Sequence, residues 1–275
     1  SLKNYTYQTA PREQFEIVIF VNRPDMDPRT NTKIVPDETM NEIARFKKDY
    51  PDLQVKVVER VLPVSEAQIA YVRKLLNDAV AMRQLHRLQS DSASSTEDLI
   101  MVSNDADNKG VAPEYVENFM KKFAAGANVE GMLGQLDWDP AAYVKFPLVH
   151  VGTRLFQYLN ALGRSRSGRM VSSGSNFAFR ASMYAAIGGY RDEIKGGGED
   201  IAIGRAIIAA RKRDNAIAFA GARVSRVYTS ARRAVDAVKS GIAPVNQWEK
   251  GFSAFDDEVR RLTSDADEVP DYSDP

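Results

Sequence analysis

Four carboxylates in two short patches are the residues best suited to chemistry. Asp105 and Asp107 stand one residue apart, straight after the apolar run Leu99-Ile100-Met101-Val102, and Glu199-Asp200 follow Gly196-Gly197-Gly198. A strand that ends in two acids puts both at the carboxyl edge of a sheet, where open α/β sheets bind their ligands. Paired carboxylates there suit a hard divalent cation that prefers oxygen ligands. Such a cation can neutralise a phosphate leaving group. Taken alone, Asp-Ala-Asp-Asn-Lys-Gly is also ordinary turn chemistry, so the elements around it must decide.

Those elements alternate. Phe15 to Val21 is a β-rich run closed by Asn22-Arg23-Pro24-Asp25. A helix opens at Asp37-Glu38-Thr39, with Met40, Ile43, Ala44 and Phe46 on one face. Gln54 to Glu59 alternates as a strand should, and Ser65 to Leu88 has helical periodicity with Ser65 at its cap. Leu99 to Ser103 is the strand that delivers the first acidic pair, and a helix is predicted over Pro113–Phe123. Val129 to Leu136 reads as one strand, Pro147 to Leu162 as an amphipathic helix, and Ser172 to Arg180 as a turn and strand. Helices follow over 182–187, 200–211, 232–239 and 247–262, with one or two strands between Ile217 and Val227. This alternation predicts an α/β fold with a mostly parallel, doubly wound sheet flanked by helices. Residues 1–263 are expected to form one domain, and 264–275 an acidic, disordered tail.

The chain has 275 residues, with Lys plus Arg equal to Asp plus Glu. That balance argues neither for nucleic acid nor for an acidic surface, and no nucleic-acid partner is expected. The lack of cysteine removes disulfides, thiolate metal sites and cysteine nucleophiles. No apolar run approaches the ~20 residues that span a bilayer. The expected location is cytoplasmic, free or attached at a membrane surface. Charge is nevertheless uneven: between Asp139 and Asp192 there is no acidic residue, while Lys145 and six arginines lie there. Local positive excess of this kind suits an anionic small molecule, and also an ordinary solvated face.

With these pieces in order, the chain resembles the inverting family 2 glycosyltransferases of the GT-A fold. Asp105-Ala106-Asp107 followed by Val111 to Val116 resembles the DxD motif and the helix after it. Gly174 to Arg180 is similar to a G-x-N-x-A-F-R segment, Tyr184 to Tyr190 to a y-x-x-v-G-G-f turn, and Glu199 to Arg205 to an E-D-x-d-l-g-x-R segment. Four segments in the right order, between about residues 15 and 235, make the resemblance specific. It implies a start inside the fold, lacking the family's usual first strand, unless Phe15–Val21 fills that place.

The resemblance implies sugar transfer from a nucleoside-diphosphate sugar to an acceptor hydroxyl of a sugar, lipid-linked sugar or small molecule, with Mn2+ or Mg2+ as cofactor. Asp107 would ligate the metal, with Asp105 on metal or ribose, and Asp200 would be the general base, with Glu199 orienting the acceptor or the loop. For both acids, capping of the following helix is the competing role. Asn22 and Asp25 fall where relatives read the nucleobase, and Arg73 where a helix arginine lies near base or phosphates. Asn176 would touch acceptor or sugar, Gly174 would allow close backbone approach, and Arg232-Arg233 would steady the diphosphate. His150 is a candidate metal ligand because some relatives place a histidine there. Two other readings stay open: a retaining glycosyl-glycerate-type synthase on the same fold, and a non-catalytic nucleotide-sugar-binding domain.

Overall fold

A computed structural model describes residues 2–27, 30–90, 99–106, 108–126, 128–145, 147, 150–151, 175–191, 199–212, 216–221 and 225–229. The chain divides into two compact units: Ser1–Asp105 with Val111–Gln135 and Arg169–Arg226, and Ala106–Gly110 with Leu136–Gly168 and Val227–Pro275.

In the first unit, β1 (Ile17–Pro24) pairs in parallel with β2 (Val55–Leu62), from Ile17 opposite Val55 to Pro24 opposite Leu62. Between them runs α1 (Thr39–Asp49), whose first turn is anchored where the Asp37 carboxylate accepts the Thr39 N–H. After β2 comes α2 (Ile69–Ser90). Helix α2 starts later than Ser65 because the Glu66 and Ala67 N–H groups both donate to the Pro63 carbonyl, closing a turn first.

A four-stranded sheet carries the main core, in the order β3-β7-β5-β8. Its strands are β3 (Ile100–Ser103), β5 (Gly131–Leu133), β7 (Phe177–Arg180) and β8 (Ile217–Phe219). β5 and β8 are parallel, while β7 runs antiparallel between β3 and β5. The α/β class is as expected, but this sheet is not mostly parallel: two of its three pairings are antiparallel, because β7 enters between β3 and β5 in the opposite sense. Phe177, Ala178 and Phe179 are all fully buried, as an interior strand covered on both faces requires. Around them pack Met101, Met183, Tyr184, Tyr190, Ile203, Ile207 and Ile217, with Phe179 stacked on Tyr184 at 5.6 Å between ring centroids. Three helices complete the unit: α3 (Tyr115–Ala125), α5 (Ala181–Ala186) and α6 (Glu199–Arg211). Tyr115, Phe119 and Phe123, four residues apart, form the buried stripe of α3.

The second unit is built on a three-stranded sheet, β4 (Asn108–Val111), β9 (Arg226–Thr229) and β6 (Gln135–Trp138), in the order β4-β9-β6. The short helix α4 (Pro140–Lys145) follows, and its start is held where Asp139 accepts the Ala141 N–H. The run expected as one strand over 129–136 is therefore two strands in two sheets. They part at Gly134, where a Cβ would lie within 2.4 Å of three atoms of the Asn176 amide.

The helices expected over 147–162, 232–239 and 247–262, and the acidic tail, fall wholly or largely outside the described residues. Among the described residues, no helix is long and apolar enough to cross a membrane.

Candidate active site

The first unit brings three of the predicted positions to one place. Asp105 leaves the carboxyl end of β3, Glu199 opens α6, and Arg73 projects from the first turns of α2. One guanidinium nitrogen of Arg73, Nη2, donates to Asp105 Oδ1 at 2.9 Å, and Nη1 donates to Glu199 Oε1. A planar guanidinium holds two carboxylates apart in fixed directions, which an ammonium on a flexible stem does not. The Glu199 side chain is 3% exposed and that of Asp105 is 44% exposed. One ion pair is thus buried, while the other carboxylate still faces solvent. Burial works against the charge on Arg73, yet Asp105, Tyr190 and Glu199 outweigh it and hold the guanidinium above its ordinary pKa.

The flanking contacts fix the arginine and the chain entering α6. Asn77 Nδ2 donates to the Arg73 carbonyl at 2.7 Å, one helical turn on. The Tyr184 hydroxyl donates to Asp78 Oδ1 at 2.7 Å and accepts the Tyr190 N–H at 3.3 Å, tying α2 to the turn after α5. Burial pushes the Tyr184 and Tyr190 phenols up, so both are neutral at physiological pH. Gly188 and Gly189, with φ of +78° and +77°, make this turn. At Gly189 a Cβ would lie 2.8 Å from the Tyr184 hydroxyl.

Asp200 occupies the second position of α6, half-buried, and its Oδ1 accepts the adjoining Ile201 N–H at 2.8 Å. Both acids thus lie in the first turn of a helix, where the backbone dipole favours negative charge. Asn22 and Asp25 are exposed at the end of β1, and Asp25 Oδ1 accepts the Val64 N–H at 3.2 Å, joining the two strand ends. Asn176 is fully buried at φ +60°, and its amide is engaged within the protein: Oδ1 accepts from the Tyr115 hydroxyl, and Nδ2 donates to the Gln135 and Ser225 carbonyls. Among the described residues its contacts are architectural. His150 lies half-buried in the second unit. Asp107, Gly174, Arg232 and Arg233 lie outside the described residues.

Among the described residues, no three His, Cys, Asp or Glu side chains are grouped to hold a metal ion. At the β3 edge Asp105 offers a partly exposed carboxylate, the oxygen-donor type a hard cation prefers, while the second acid of the motif, Asp107, lies outside the described residues.

Sequence reading missed Asn104. Its side chain joins Tyr5, Tyr115 and Asn176 immediately before the acidic motif. An asparagine before Asp-Ala-Asp reads as turn chemistry, and only its long-range partners reveal more.

No protein-family model matches the chain, and no curated protein does. Solved structures do match. The mannosyltransferase PcManGT from Pyrobaculum calidifontis, in complex with GDP-Man and Mn2+, is 16% identical with a TM-score of 0.54. S. aureus TarS 1-349, in complex with UDP, is 11% identical with a TM-score of 0.50. Each alignment covers 96% of this chain and 65% of the other, so the chain spans just under two thirds of these neighbours. The fold described above is that of the GT-A-type glycosyltransferases.

Proposed function

We propose that this chain transfers a sugar from a nucleoside-diphosphate donor to an acceptor hydroxyl, with inversion at the anomeric carbon. The observation that carries this reading is the bridge through Arg73, which draws the β3 edge and the start of α6 to one cation. One acid from each of two motifs far apart in sequence, Asp105 and Glu199, thereby shares a single guanidinium. Further support comes from the GDP-Man, Mn2+ and UDP bound by the two structural neighbours, which name the donor classes to try first.

The roles follow from position. Asp200 removes the proton from the acceptor hydroxyl as that oxygen attacks the anomeric carbon. The bond from that carbon to the diphosphate oxygen breaks, and its electron pair leaves with the diphosphate. Asp105 and Asp107 would hold Mn2+ or Mg2+, which when bound supplies neutralisation of the leaving group's charge. Glu199, buried against Arg73, fixes the first turn of α6 and so the direction of Asp200. Arg73 stands between Asp105 and Glu199, so that one guanidinium pairs with both carboxylates.

The test is transfer itself, with Mn2+ and a panel of GDP- and UDP-sugars, offered sugar, lipid-linked sugar and polyol acceptors. Release of nucleoside diphosphate is followed in solution, and the product anomer by NMR. An inverted product is expected, with an Asp200→Asn variant that binds donor but transfers about 100-fold more slowly. A retained anomer would remove Asp200 as base and favour the retaining synthase. Donor binding without any turnover would leave a nucleotide-sugar-binding domain.

A further inference from the structure

Three residues that the proposed mechanism does not use close a ring of hydrogen bonds behind Asp105. Asn104 Nδ2 donates to the Tyr115 hydroxyl oxygen at 2.8 Å. That hydroxyl donates to Asn176 Oδ1, also at 2.8 Å. The Asn176 N–H closes the ring by donating to Asn104 Oδ1 at 3.1 Å. The members come from three separate segments: the turn after β3, the first residue of α3, and the turn before β7.

Two of the ring's three residues are buried, Asn104 is half-buried, and the ring is tied outward. Tyr115 is 1% exposed and Asn176 fully buried. Asn104 Nδ2 also donates to the Tyr5 hydroxyl, and Asn176 Nδ2 reaches the Gln135 and Ser225 carbonyls at 2.7 and 2.8 Å. Asn176 adopts a left-handed φ of +60°, which asparagine tolerates better than most side chains. Gly134 leaves the space its amide fills. Beyond the ring, the Asp105 N–H points to Ser175 Oγ at 3.5 Å. A buried polar network with its members satisfied selects one arrangement of its segments. Here that arrangement sets the direction in which the chain leaves β3 for the acidic motif.

We propose that Asn104, Tyr115 and Asn176 are positioning residues for Asp105, holding it in the direction that receives a metal-bound nucleoside diphosphate. The proposal rests on the nucleotide-sugar reading above. It also gives the N of the G-x-N segment an internal role in place of the implied contact with acceptor or sugar, and gives a role to the tyrosine after Pro113-Glu114.

The test uses the full chain with Tyr115→Phe, which keeps the ring's shape but breaks it, and Asn104→Ala. Ile43→Ala on α1 is the control of comparable destabilisation, because Ile43 is buried away from this network. Amide hydrogen exchange over residues 101–106 is measured without any nucleotide, and calorimetry gives the Kd for UDP and GDP with Mn2+. Both ring variants are expected to exchange at least tenfold faster over that segment, and to bind nucleotide about tenfold more weakly. The control should change neither. Equal exchange in ring variants and control would overturn the clamp. Faster exchange with unchanged Kd would leave a merely structural network and overturn the positioning role. A wild type that binds neither nucleotide overturns the functional reading instead, and the exchange result then decides the clamp by itself.

Discussion

Replacing Arg73 by methionine keeps the length of its aliphatic stem and removes the shared cation. The two arms of the bridge should respond unequally. Glu199 is 3% exposed, so its carboxylate would be left buried and uncompensated, a loss of about 3–5 kcal/mol. The Asp105 arm is 44% exposed, and solvent screens it to about 0.5 kcal/mol. Arg73→Met should therefore destabilise the fold by about 3–5 kcal/mol, nearly all of it through Glu199. Adding Glu199→Gln takes the stranded charge away, so the double variant should be more stable than Arg73→Met by about 2 kcal/mol. Urea unfolding followed by circular dichroism reads both values, with the slope checked for constancy. A loss under 1 kcal/mol, or a double variant weaker than the single, would refute the claim that a buried ion pair joins α2 to α6.

Three further outcomes are expected. Gly134→Ala should cost about 1–3 kcal/mol, because its Cβ would overlap the buried Asn176 amide; an unchanged melting temperature would contradict that packing. Gly189→Ala should cost more than Gly188→Ala: both are strained at positive φ, but only Gly189 has Tyr184 and Asp78 within reach of a new Cβ, and equal losses would contradict this. Tyr5, Tyr115, Tyr184 and Tyr190 all have phenols raised above their ordinary value, burial being the first cause in each. Their stabilisation is therefore complete below about pH 10, where the unfolded phenols begin to ionise, and is lost as pH rises beyond it. Absorbance at 295 nm should show these four of the 11 tyrosines ionising later than the exposed ones, until the chain unfolds.

The α/β class and most element positions were legible because local pattern determined them. Phe177-Ala178-Phe179 is an apolar run that only an interior strand can bury, and the spacing of Tyr115, Phe119 and Phe123 is helical. What escaped was set at long range. Strand β4 is Asn-Lys-Gly-Val, polar and without alternation, and it exists because it pairs with β9 at the edge of a separate sheet. The break at Gly134 is imposed by a side chain from position 176. Helical spacing put Arg73 on a face of α2, but nothing local distinguishes a surface arginine from one gripping residues 105 and 199. Asn176 was expected at a ligand, and its motif was visible. The three internal bonds of its amide depend on segments far away in the chain.

The central claim is that the acidic edge after β3 receives a metal-bound nucleoside diphosphate. Calorimetric titration of UDP and GDP, with and without Mn2+, tests it on the wild type, Asp107→Ala and Asp200→Asn. One nucleotide should bind the wild type and Asp200→Asn only when Mn2+ is present, and Asp107→Ala not at all. Binding that ignores both the metal and residue 107 would contradict it.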